Sequence, residues 1–147
     1  MDMKTIQPIN ADTFARYGKV IEYEDKPGAD LFQVRVDAAE PAGWRIAVMK
    51  VTAQSFSRLN CHPNTVEAFD PVQGVSLLVV AEPERPRDFE VFLLDRPVCI
   101  DKRVWHVVLT LTASSLVKVM ENLTVDSESV ELPGEYSLKM LGMDRGQ

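Results

Sequence analysis

The run Asn60-Cys61-His62-Pro63-Asn64-Thr65-Val66-Glu67 sets an imidazole and a carboxylate on either side of a tight turn, and it holds one of only two histidines in the chain. Residues two apart in an extended run share a face, so Asn60 and His62 point the same way. Pro63, Asn64 and Thr65 have turn chemistry and bring Glu67 back beside them. The second histidine, His106, follows another turn-like run, Asp101-Lys102-Arg103-Val104-Trp105, and can supply the missing side of the same pocket. Two imidazoles and a carboxylate are donor types that hold a divalent first-row metal with positions open for a substrate. His62, Glu67 and His106 are therefore the candidate metal ligands. Asn60 is a weaker fourth oxygen donor, and Asp101 is a group that could orient a ligand from behind. The plainer alternative makes both histidines barrel-mouth residues hydrogen-bonded to backbone, with Glu67 a solvated turn residue.

The elements that must position these side chains are short and β-rich. Arg45 to Thr52, Phe56 to Asn60, Val75 to Ala81, Phe89 to Leu94, Val104 to Thr112 and Leu116 to Val125 are enriched in Val, Leu, Ile, Phe and Thr. Their spacing predicts an all-β antiparallel sandwich or small barrel. Prolines in the 82–88 run and at Pro97 separate them. Val75 to Val80 is apolar on both faces, which a strand covered on one side by a second layer or a partner subunit would need, and a homodimer is expected on that ground. If His106 faces the pocket, Trp105 faces a core or an interface, while Phe69, two residues after Glu67, lines the pocket.

Towards the N-terminus, Asn10 reads as the cap of a short helix over 11–17, with Ile9 and Phe14 at hydrophobic-staple spacing and Gly18 ending it in a left-handed conformation. Residues 19–23 are expected as a strand and 24–30 as a loop. Leu31 to Val36 is expected as a strand with Phe32, Val34 and Val36 on one face. One domain spans 1–147, with 133–147 a tail whose Leu138, Met140 and Leu141 could pack on the body and whose last four residues are expected to move freely.

Composition narrows the functional classes. A net charge of -6 and a pI near 4.9 leave no basic block for neutralising phosphates, which argues against nucleic acid. No apolar run approaches the roughly 20 residues that span a bilayer, and Met1-Asp2-Met3-Lys4 lacks the character of a signal peptide, so a soluble cytoplasmic protein is expected. Cys61 and Cys99 have no CxxC spacing and suit reduced, packed thiols, with a redox-sensitive role left open.

The spacing of His62, Glu67 and Gly74, with four and then six residues between them, resembles the first signature of the cupin barrels, and Val104-Trp105-His106 sits where their second signature places a ligand histidine. More narrowly, His62-Pro63, Glu67-Ala68-Phe69-Asp70-Pro71, Val104-Trp105-His106 and Leu123-Thr124-Val125-Asp126 are similar to the ureidoglycolate lyase family, as is the opening Phe14 to Glu22. The likeness covers most of residues 6–132, in order. Asn60 stands where the family has a glutamate, Ile100-Asp101 where it has Tyr-His, and His106-Val107-Val108 where it has His-His-Pro.

The resemblance implies a cupin-type antiparallel β-barrel, a double-stranded β-helix or jelly roll, with a short N-terminal helix. It implies a small-carboxylate substrate, ureidoglycolate, cleaved to glyoxylate and urea in allantoin and purine degradation. Glu67 and His106 would handle the protons and Lys50, where the family has arginine, would meet the carboxylate, with Arg45 and Arg103 in reserve. Nickel, manganese or zinc would sit on His62, Glu67 and His106. The alternative is a cupin-fold metal- or carboxylate-binding protein that has lost part of the catalytic set.

Overall fold

The computed structural model describes residues 4–138 and 141–142. Among these residues there are strands and no helix: β1 (Lys4–Gln7), β2 (Gly18–Val20), β3 (Trp44–Val51), β4 (Ser55–Cys61), β5 (Glu67–Gln73), β6 (Ser76–Ala81), β7 (Glu90–Leu94), β8 (Val98–Ile100), β9 (Trp105–Thr110), β10 (Ser115–Asn122), β11 (Glu128–Ser137) and β12 (Leu141–Gly142). They form one sheet in the order β11-β4-β9-β6-β7-β1-β12 and a second in the order β2-β8-β5-β10-β3. No helix of the described residues is long and apolar enough to cross a membrane.

The strand order identifies the architecture. From β3 to β10 the chain alternates between sheets except at the β6–β7 hairpin, and β3, β4, β5 and β6 pair antiparallel with β10, β9, β8 and β7. That is a long hairpin rolled up on itself, the eight-stranded jelly roll of the cupin type. The strands expected within 45–125 are all present, while β1, β5, β8, β11 and β12 are additions. β5 continues from the Glu67 turn through Pro71, and its register against β10 shifts between Leu116 and Val117.

Two apolar clusters hold the sheets. Phe14, Tyr17, Phe69, Leu78, Val80, Phe92, Val108, Val117 and Val119 belong to one. Phe56, Leu59, Leu77, Val79, Phe89, Val91, Leu109 and Leu132 belong to the other. β6 is buried at every position because its alternate residues feed both clusters. The two-sided apolarity of 75–80 is therefore satisfied within the chain and needs no partner subunit.

The N-terminal helix is not formed. Asn10 does cap, its Oδ1 accepting from the backbone N–H of Asp12 and Thr13 at 3.0 and 2.9 Å. The bonds that follow mix spacings: Phe14 donates to Asn10 and Gly18 to Phe14, but Ala15 donates to Asp12 and Tyr17 to Phe14. No continuous ladder develops, and so short a segment cannot offset the cost of nucleation by itself. Tertiary packing decides its path: Ile9, Phe14 and Tyr17 are all buried, Phe14 and Tyr17 meet the Phe92 ring edge-on, and the Tyr17 hydroxyl donates to Glu90.

Gly18 is not a left-handed cap, since the positive-φ glycines are Gly28 and Gly74. It opens β2 opposite Ile100, where an added Cβ would lie 2.0 Å from the Cys99 carbonyl oxygen. Leu31 to Val36 is not a strand: no ladder reaches it, and Leu31, Phe32 and Val34 are exposed. It is held by paired bonds between the Gln33 side chain and the Glu24 backbone.

Pro133-Gly134-Glu135 does not open a tail but lies inside β11, whose register against β4 shifts between Glu131 and Tyr136. Proline is tolerated there because β11 is an edge strand. Leu138 packs on the second cluster, while the placements expected of Met140, of the Leu141 side chain and of residues 144–147 lie outside the described residues.

Gly18→Ala should cost roughly 1–3 kcal/mol, as overpacking does where backbone cannot yield. A thermal melt checks this, and an unchanged midpoint would contradict the close approach of β2 to β8.

Candidate metal centre

His62 follows the end of β4, Glu67 opens β5, and His106 is the second residue of β9. Asn60 and His106 are directly opposed across the β4–β9 pair. Three further contacts fix the turn between β4 and β5: Asn64 Nδ2 donates to the Thr124 carbonyl at 2.9 Å, Asn64 Oδ1 accepts from Asp126 N–H at 2.9 Å, and the Arg103 N–H bonds the His62 carbonyl at 3.1 Å. Arg103 adopts φ 70 to make that turn.

Donor atoms of His62, Glu67 and His106 all lie within 4.8 Å of one another. His106 Nδ1 is 3.1 Å from the Val104 carbonyl oxygen, and His62 Nδ1 is 3.1 Å from that of Asp126. A carbonyl can only accept, so each Nδ1 carries the proton and donates it, and the Ser127 hydroxyl 3.0 Å from His62 Nδ1 is then a second acceptor of that proton. In the neutral ring each Nε2 is then bare. The bare nitrogens face one carboxylate, His106 Nε2 at 2.9 Å from Glu67 Oε1 and His62 Nε2 at 3.6 Å from Glu67 Oε2.

Glu67 Oε1 is buried and lacks a hydrogen bond of proper geometry, despite the nearby ring nitrogen. Convergent lone pairs without a proton between them call for a cation. A backbone carbonyl behind each imidazole is the arrangement that fixes tautomer and ring orientation in metal-ligating histidines. The residues present thus fit a divalent metal.

The surrounding cavity, about 470 Å³, is walled by Met49, Phe69, Val108 and Val119, with Asn60, Glu121 and Ser127 among its polar lining. Phe69 is buried against the His106 ring, with centroids 5.8 Å apart, as expected of a pocket wall. Glu121, on β10, is an addition that sequence reasoning missed; the two-residue alternation of Val117, Val119 and Glu121 towards one face is the signal that could have found it. Arg45 Nη2 and Nε reach its Oε2 at 2.6 and 3.0 Å, while its Oε1 is buried without a partner.

Burial alone would raise the Glu67 carboxyl, but once the His106 ring is charged its Nε2–H and positive charge, with help from Glu121 and His62, hold it below the ordinary glutamate range. Burial and the neighbouring Glu67 carboxyl push Glu121 the other way, above that range, against the pull of Arg45.

Other candidates lie elsewhere. Lys50 alternates with Trp44, Ile46 and Val48 on the outer face of β3, away from the cavity, which Ala47 and Met49 line from the inner face. Two-residue periodicity therefore gives the inward cation on β3 to Arg45. Asp101 lines a separate cavity with Gly18, Lys19 and Arg35. Asn60 is in place, but its Oδ1 accepts from Ser129 Oγ at 2.7 Å. Trp105 faces the second cluster and donates to the Pro83 carbonyl. Asp126 contributes backbone at this site, its N–H to Asn64 and its carbonyl to His62.

No protein-family model matches the sequence. No curated protein matches it either. Among solved structures the chain is similar to QdtA, a sugar 3,4-ketoisomerase from Thermoanaerobacterium thermosaccharolyticum, at 14% identity and TM-score 0.49 over 75% of this chain and 81% of that one. It is similar to the vicilin of Solanum melongena at 18% identity and TM-score 0.46, over 60% of this chain and 24% of that one. It is also similar to a single-site mutant of Bacillus subtilis oxalate decarboxylase at 18% identity and TM-score 0.44, covering 62% of this chain and 24% of that one. The chain thus spans about a quarter of the length of the last two. The fold assignment stands on strand order, and no residue role is carried over from these proteins.

Two outcomes follow from the local chemistry. Burial, then the charges of Asp101 and Glu67, pushes the Cys99 thiol up to about 11, and burial with Glu128 raises Cys61. Iodoacetamide should leave both thiols unlabelled in the folded chain near neutral pH and label both on unfolding; rapid labelling of either would restore a redox-sensitive role. The depressed Glu67 carboxyl stabilises the fold above the unfolded value of about 4.3 and loses that contribution as pH falls through its folded value. Glu67→Gln should therefore flatten the acid limb of the stability–pH curve, measured by denaturant titration; an unchanged limb would remove Glu67 from the charged cluster.

Proposed function

We propose that this chain is a divalent-metal-dependent cupin enzyme of the lyase class, cleaving ureidoglycolate to glyoxylate and urea in purine nitrogen degradation in the cytoplasm. The observation that carries the metal-dependent part is the pair of imidazoles with Nδ1 tied to carbonyls and Nε2 turned to one buried carboxylate. The choice of substrate is supported by the ordered likeness of residues 6–132 to the ureidoglycolate lyases.

Nickel, manganese or zinc held by His62, Glu67 and His106 would supply Lewis acidity to the substrate oxygens. The protein does the rest. Arg45, with Nε and Nη2 on Glu121, presents its remaining N–H groups to the substrate carboxylate, the role first expected of Lys50. The apolar walls at Phe69, Met49, Val108 and Val119 exclude water and so strengthen each polar contact inside. Glu67, through the carboxylate oxygen not given to the metal, or His106 when it is not ligated, accepts the hydroxyl proton as the C–O double bond of glyoxylate forms and the C–N bond breaks, and returns it to the departing nitrogen. The departing nitrogen takes a proton and leaves as urea.

A second reading, a cupin that binds a metal or a small carboxylate without turning it over, is favoured by one observation. Asn60, where the lyase family has a glutamate, has its oxygen taken by Ser129.

Purified protein stripped of metal and resupplied with nickel, manganese or zinc should release glyoxylate from racemic ureidoglycolate, and His62→Ala should not. Folded, metal-loaded protein without turnover would overturn the lyase reading and leave the binding one. Loss of a charge-assisted contact is worth roughly 1.5–3 kcal/mol, so Arg45→Ala should lower kcat/KM about ten- to a hundredfold. Lys50→Ala should leave it unchanged; the reverse pattern would return the carboxylate to Lys50.

A further inference from the structure

A second cavity, about 440 Å³, lies between the 11–17 segment, β2, the 31–36 segment and the turn before β9. Ala11, Ala15, Val20 and Val34 give it apolar walls, and Lys19, Arg35 and Asp101 bring charge to it. It shares no lining residue with the cavity at the metal centre.

The three charged groups do not neutralise one another. Among the described residues neither Lys19 nor Asp101 forms an ion pair, and the one ion pair of Arg35 is long, with Nη1 3.7 Å from Oε2 of an exposed Glu24 that also meets Lys26 at 3.3 Å. The Arg35 side chain is 37% exposed as a whole, yet its Nε is buried without an acceptor. A guanidinium N–H taken out of water calls for an anion beside it. Burial likewise raises the Asp101 carboxyl, with the charge of Lys19 pulling it the other way. Both ends of the cavity are fixed in place. Paired bonds of 2.8 and 3.0 Å between the Gln33 side chain and the Glu24 backbone hold the segment that carries Arg35, and the Asp101 N–H donates to the Tyr17 carbonyl at 2.8 Å.

We infer that this cavity is a binding site for a small amino dicarboxylate, an α-amino acid of the aspartate or glutamate type, its carboxylates meeting Arg35 and Lys19 and its ammonium meeting Asp101. The ligand class follows from charge. Two cations and one carboxylate around a single space are matched by two carboxylates and one cation. A neutral ligand would leave the Arg35 N–H without an anion, and a plain dicarboxylate or a phosphate would set its charge against Asp101 with nothing between them. The planar fork of Arg35 suits a carboxylate, and the small Ala and Val side chains leave room for a short methylene chain. The site goes beyond the proposed activity and does not depend on it.

The test is isothermal titration calorimetry of L-glutamate and L-aspartate into full-length, metal-free protein near neutral pH and at low salt, with glutarate and L-glutamine as comparisons. At least one of the two acidic amino acids should bind with a Kd below about 1 mM. Glutarate lacks the ammonium and glutamine the second carboxylate, so each should bind about ten- to a hundredfold more weakly. Arg35→Gln and Asp101→Asn should each weaken binding by a similar factor with unchanged circular dichroism and melting; Arg35 lies outside every strand, so its substitution leaves the barrel intact. His62→Ala, at the metal centre, should bind as the wild type does. No binding of either amino acid overturns the inference, as does glutarate binding as tightly as they do, or binding that survives both Arg35→Gln and Asp101→Asn. Binding lost in His62→Ala also overturns it, by moving the ligand to the other cavity. Neither metal nor turnover enters the measurement, so its failure is distinct from failure of the lyase reading.

Discussion

Two backbone carbonyls, those of Val104 and Asp126, set the chemistry of this protein by taking the Nδ1 protons of His106 and His62. Each bond consumes one ring nitrogen and aims the other at Glu67. The remaining architecture serves to put those carbonyls where they are. Val104 sits just before β9, buried among the residues of the first cluster, and Asp126 is fixed by the Asn64 side chain reaching across from the β4–β5 turn. Asn64 thus ties two loops distant in sequence, and its loss would free His62 without touching a ligand atom.

The jelly roll brings these loops together for a topological reason. Rolling a long hairpin pairs β4 with β9 and β5 with β8, so the ends of strands far apart in sequence meet at one mouth. Asn60 opposite His106 is the contact through which the first half of the roll meets the second at the site. Burial then raises the stakes. A carboxylate at the mouth of a wet loop would be indifferent to its neighbours, whereas Glu67, buried with one oxygen unsatisfied, must have positive charge beside it.

The sequence made the ligand set legible because His62, Glu67 and His106 are of rare types at a spacing tied to turns. The sandwich of strands from 45 to 125 was legible from composition and punctuation. What escaped it depends on long-range packing. The 11–17 segment has a good cap and staple, but Phe14 and Tyr17 are drawn to Phe92, a residue far along the chain. Gly18 reads locally as a helix terminator; only the approach of β8 reveals that it makes room for a carbonyl. Lys50 and Arg45 differ by an odd number of residues on one strand, so the direction each faces depended on register, which a family correspondence did not supply. Glu121 was invisible for a related reason: nothing local distinguishes a glutamate at a strand end from a solvated one until β10 is placed between β3 and β5.

Because the chain has only two histidines, their side-chain nitrogens can be read one by one. The direct measurement is a long-range nitrogen–proton NMR spectrum of the imidazoles in metal-free protein at about pH 8, repeated after addition of zinc. Both rings should carry the proton on Nδ1, and zinc should shift both Nε2 resonances while leaving the Nδ1 protons in place. Protonation on Nε2 in either ring, or Nε2 signals indifferent to zinc, would contradict the convergence of the two bare nitrogens on Glu67.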